Sequence, residues 1–124
     1  MIGPRSERGS VSVVVAAAVG MALVVTMGAA DVGRALVARS RAEAVADVAA
    51  LAAAQELAFP SGIEPAQVAA SYADRNGARL VICSCPPGAT EATVRVVVEV
   101  RGFLLPLPDR PVIGVARAVV DLPV

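Results

Sequence analysis

From Gly9 to Ala30 the chain reads GSVSVVVAAAVGMALVVTMGAA, 22 residues without one charge. As a helix this stretch is about 33 Å long, slightly more than the hydrocarbon core of a bilayer at about 30 Å. A core helix of that length carries a polar stripe, and none is present here, so the segment reads as a transmembrane helix over residues 10–30. The alternative is a cleavable signal peptide. Arg5 and Arg8 supply its basic start, and Gly28-Ala29-Ala30 the small residues before a cut near Ala30. The apolar run exceeds the usual signal-peptide core of about 7–15 residues, so a retained anchor is the expectation. Flanking charge does not choose an orientation: Arg5 and Arg8 precede the span, and Arg34, Arg39 and Arg41 follow it.

Composition removes most chemistry. The 124 residues hold 11 basic and 11 acidic side chains, with every base an Arg and no His, Lys or Trp. There is therefore no imidazole base, no Schiff-base lysine and no histidine metal ligand. Zero formal charge gives no support for phosphate neutralisation, and Phe59, Tyr72 and Phe103 are too few to stack bases. No Gly-rich phosphate loop occurs, and the serines lack a His partner. The sequence thus predicts no enzyme, catalytic residue, metal, cofactor, nucleic-acid partner or small-molecule substrate.

Residues 31–58 continue in strong helix formers without Pro, and Gly33 is the one internal weakness, at about 1 kcal/mol relative to Ala. Val37, Val45, Val48, Leu51 and Ala52 favour one side, while Arg34, Arg41, Glu43 and Glu56 keep other faces wet. Phe59-Pro60-Ser61-Gly62 ends the helix, since a residue before Pro is pushed out of the helical region. One helix from near Ser10 to Ala58 results, half in lipid and half projecting. Ala16/Gly20 and Ala29/Gly33 are small-xxx-small pairs that permit close helix packing in lipid, although Ala-rich sequence produces such pairs by chance. Asp47 lies among alanines, on a solvated face or at a subunit contact.

The remainder, 63–124, reads as a small head. Residues 63–77 form a second helix, with Pro65 in the first turn and Gly77 at the stop. The period then becomes two. Val94, Val96, Val98 and Val100 share one strand face, and Arg95, Glu99 and Arg101 the other. Ile113–Asp121 gives a further strand, with Ala116, Ala118 and Val120 inward. A shorter strand begins at Leu80-Val81-Ile82. The fold class is α+β: a long N-terminal helix, a short second helix and a three-stranded antiparallel sheet. The apolar connection 102–111 either caps that sheet through Phe103, Leu104, Leu105 and Leu107 or offers them as a contact surface, and capping is the expectation. Cys83 and Cys85 have three readings: an intrachain bridge needing a local turn, pairing to another chain, or two inert thiols.

A long helix, apolar then amphipathic, ahead of a small β-containing head resembles type IV pilin-like proteins. ERGSVSVVVAAAVGMALV and AEAVADVAALAAA look like the corresponding stretches of TadE- and TadG-like proteins, minor pilins or pseudopilins of tight-adherence (Flp-type) systems. The short TadE-like group of high-GC Gram-positive bacteria is the nearest likeness, over roughly residues 5–58. The resemblance implies a leader over 1–9, with Gly9 before the prepilin processing site and Ser10 as the new N-terminus. It also implies pilin-like or secretion-apparatus partners through the long helix. The expected location is the cytoplasmic membrane, single-pass, with the head outside. Many relatives carry a Glu at the fifth position after that Gly, where this chain has Val14. The departure points to a minor, uncleaved or initiating subunit.

Overall fold

The computed structural model describes residues 5–100, 102, 104–106, 108 and 110–123, with side chains from residue 9 onward. Two helices precede three strands: α1 (Arg5–Ala58), α2 (Pro65–Arg75), β1 (Arg79–Ser84), β2 (Glu91–Val100) and β3 (Arg110–Val119). The strands form one antiparallel sheet in the order β1-β2-β3. This is the α+β architecture expected.

The 54 residues of α1 run unbroken through Gly33, roughly 81 Å at about 1.5 Å per residue. Its end is held by Glu56, whose carboxylate accepts the Ser61 backbone N–H and hydroxyl, each at 2.6 Å. Those two bonds hold the Glu56 carboxyl below its ordinary range, against the opposing effect of desolvation. Helix α2 starts with Pro65 in its first turn and stops at Gly77 (φ 73°). The Ala78 N–H reaches the Ala73 carbonyl at 2.9 Å and the Gly77 N–H reaches Asp74 at 3.2 Å, the two bonds of a Schellman stop.

Strand β2 alternates as its sequence requires, with Ala92, Val94, Val96, Val98 and Val100 buried. Arg101 lies outside the described residues. Along β1 the register shifts between Leu80, opposite Val96, and Ile82, opposite Arg95. One extra residue reverses the alternation, so Leu80 and Cys83 both face the core and Ile82 faces outward.

The core is shared between α1 and the sheet. On α1 it consists of Ala42, Val45, Ala46, Ala49, Ala50, Ala53 and Ala54, at the 3–4 spacing of one helix face. Ala69 and Ala73 of α2 complete it on one side, and Val94 and Val96 are its largest fully buried side chains. This corrects the expected stripe. Of Val37, Val45, Val48, Leu51 and Ala52, only Val45 is buried, whereas Val37, Val48 and Leu51 are exposed on the opposite side. Small side chains win the inner face because the sheet lies almost on the helix backbone. At Gly114 of β3, a Cβ would overlap the Ala42 carbonyl oxygen, well inside van der Waals contact. The expected cap is also corrected. Leu104 and Leu105 do not enter the core but lie beside α1, and Phe103 and Leu107 lie outside the described residues.

Candidate functional site

The polar organisation of the molecule concentrates where α1 leaves its charge-free stretch. Asp31 is the first charged residue after that stretch, and it is 4 % exposed. Its Oδ1 accepts the Leu104 N–H at 2.8 Å, and its Oδ2 accepts the Leu105 N–H at 3.0 Å. One turn further on, the Arg34 guanidinium donates to the Gly102 carbonyl. Two α1 side chains therefore fasten the β2–β3 connection to the helix. The Leu105 Cδ1 reaches 4.0 Å from where a Gly28 Cβ would sit, one turn inside the apolar stretch. Gly28, Asp31, Val32, Ala35, Leu105, Pro108 and Arg110 line a cleft of roughly 400 Å³ at this junction.

Burial pushes the Asp31 carboxyl up, but the two amides and the nearby Arg34 charge outweigh it and hold the pKa below the ordinary value. A carboxyl with a lowered native pKa contributes stability above its unfolded pKa of about 3.9, and that contribution disappears as pH falls through the native value. The loop should hence stay fastened at neutral and mildly acidic pH and loosen only in strong acid. Asp31→Asn offers one acceptor oxygen where two amides need one each. At neutral pH it should speed hydrogen exchange at Leu104 and Leu105 while leaving β2 amides unchanged; equal exchange in both proteins would contradict the fastening.

The residues singled out in the sequence are dispersed. Gly9 and Ser10 lie within the first turns of α1, and both are exposed. Ala16 and Gly20 sit on uncovered helix, as do Ala29 and Gly33, with open space where a Cβ would stand at Gly20 and Gly33. At about 100° per residue the two pairs occupy faces roughly 140° apart, so they do not form one continuous packing stripe. Asp47 is exposed on α1. Cys83 is near the end of β1, and Cys85 follows where the ladder has ended. Their Cα atoms are 5.5 Å apart, inside the range a bridge requires, and the two sulfurs are paired. Among the described residues no three His, Cys, Asp or Glu side chains gather as metal ligands would.

Sequence reasoning missed Asp31, Arg34 and Gly114. A signal existed for two of them. The first carboxylate after a charge-free span demands a partner near lipid, and a Gly within a strand often marks close backbone approach. Nothing local pointed to the loop as that partner, 73 residues away.

Helix α1 is long and apolar enough to cross a membrane, and none of its most apolar window is covered by the rest of the molecule. No curated protein and no solved structure matches the chain. Residues 9–56, which comprise the apolar stretch and the helical side of the core, match the family model of TadE/G-like Flp pilus-assembly proteins.

Proposed function

We propose that the chain is a membrane-anchored structural subunit, a TadE-like minor pilin or pseudopilin, taking part in assembly of a Flp-type pilus or a related secretion apparatus. The observation that carries this reading is the division of labour along α1. Residues 9–27 are left uncovered, and residues 42–54 of the same helix form one wall of the head. An uncovered, charge-free helix is stable in lipid or against like helices, and the family match spans both parts. The head belongs on the outer side of the cytoplasmic membrane, where an oxidising environment would keep a Cys83–Cys85 bridge closed. Its role is contact and support, without catalysis: the composition offers no imidazole and no lysine, and the family model is one of pilus-assembly proteins.

The uncovered length of α1 favours the anchor over a secreted binding module cut free near Ala30. The test is the N-terminus of the mature protein together with its cell fraction. A membrane-bound form starting at Ser10 supports prepilin-type processing at Gly9, and one starting at Met1 or Ile2 supports an uncleaved anchor. A soluble extracellular form starting at Asp31 would overturn the pilin reading.

A further inference from the structure

The β2–β3 connection is apolar for a loop, and its position along α1 explains why. Gly102–Pro108 reads GFLLPLP, without a charged residue. Solvent is a poor environment for such a segment, yet Leu104 is half exposed and Pro106 is exposed. Asp31 fixes the height of the loop. Because its two oxygens hold the Leu104 and Leu105 amides, those residues stand level with the end of the charge-free stretch. Leu105 reaches down to Gly28, about 4.5 Å further along the helix axis. A span of about 30 Å of hydrocarbon occupies nearly the whole stretch from Gly9 to Ala30. Leu104 and Leu105 consequently meet the bilayer where acyl chains give way to headgroups.

We propose that Leu104, Leu105 and Pro106 form a second membrane contact, inserted into the interfacial zone of the leaflet beside the head. The occupant is phospholipid. The surface is continuous with the lipid-facing side of α1, and the cations of Arg34 and Arg110 stand at the same junction, at headgroup height. Asp31 has a double part in this arrangement. A bare carboxylate at the edge of hydrocarbon is unfavourable, and the two loop amides satisfy it while the loop shields it from lipid. The head is thereby held at two points, the span and the loop, and rests against the membrane surface.

This inference depends on the anchor reading, and the experiment separates the two. The chain has no Trp, so a single introduced Trp is an unambiguous reporter. The full-length protein is reconstituted in phosphatidylcholine vesicles whose acyl chains are unbrominated, brominated near the headgroup, or brominated near the bilayer centre, the depth at which Val19 lies in the span. Leu104→Trp keeps the backbone amide that Asp31 holds, and Pro106→Trp is the second reporter should the first disturb folding. Val19→Trp reports the span and Val119→Trp the far end of the head. The expected result is blue-shifted emission at Leu104→Trp or Pro106→Trp, quenched more by the shallow bromines than by the deep ones, since aromatic side chains favour this interfacial depth, and the reverse order at Val19→Trp. Val119→Trp should remain unquenched. Val19→Trp quenched by the deep bromines beside unquenched, water-like loop reporters would overturn the loop contact and leave the anchor standing. Blue-shifted but unquenched loop reporters would also overturn it, showing cover by protein. If Val19→Trp escapes quenching by the deep bromines, the anchor reading fails and the loop contact with it.

Discussion

Gly114→Ala is expected to destabilise the head by about 3 kcal/mol, at the upper end of what overpacking costs. For a unit this small that corresponds to a fall in Tm of more than about 10 °C. The reason is space and not backbone conformation, because Gly114 has no left-handed φ. An added Cβ would overlap the Ala42 carbonyl oxygen and carbon and stand 2.9 Å from the Glu43 nitrogen. All three are helix backbone, which cannot turn aside as a side chain would. Relief requires β3 to lift away from α1, and that opens the seam along Val94, Val96 and Ala116. The measurement is thermal unfolding of the full chain in detergent, followed by the strand signal. Gly20→Ala is the matched control, with nothing within 4 Å of its Cβ, and it should leave the head's Tm unchanged. An unaltered Tm for Gly114→Ala would refute the close approach.

A second large effect is expected from Ala46→Leu. Ala46 is fully buried at the centre of the α1 stripe. Three extra carbons there push the sheet outward, for a loss of about 1–3 kcal/mol. Leu51→Ala removes three carbons from the opposite side of the same helix, where the side chain is 48 % exposed, and should change stability by less than about 0.5 kcal/mol. The comparison runs against hydrophobicity, since the variant with the more apolar side chain is the one expected to fail. Pulse proteolysis at Arg79 and Arg95 in the strands reads both variants. Equal resistance in the two would show that the head does not sit on the Ala46 face.

Much of this fold was legible in the chain. Charge-free length foretold the first half of α1, and Pro60 with Gly62 its end near Ala58. Strict alternation from Val94 to Val100 marked β2, and Gly77 marked the stop of α2. The inner face of α1 was not legible, for a definite reason. Ala is both the best helix former and the smallest helix-packing side chain, so its abundance signals helix without saying which side is covered. Ranking positions by hydrophobicity selected Val37, Val48 and Leu51, the side that a close-lying sheet cannot accommodate. The reversal of alternation in β1 escaped because a single extra residue leaves no compositional trace in Leu80-Val81-Ile82. At the candidate site the span could be read from local sequence. The partnership of Asp31 with Leu104 and Leu105 joins residues 73 and 74 positions apart, a relation only the folded chain reveals.

The unbroken course of α1 from Arg5 to Ala58 has a geometric result for any assembly. A hinge at the membrane surface would let a head swivel and meet its neighbours in many directions. Here the span and the sheet share one shaft, so rotating one rotates the other by the same angle. At about 100° per residue, the Ala16/Gly20 face points roughly a quarter turn away from the side that carries the sheet. A neighbour seated on that face in lipid would therefore find the head to one side of it. The azimuth chosen within the bilayer becomes the bearing of the head outside it.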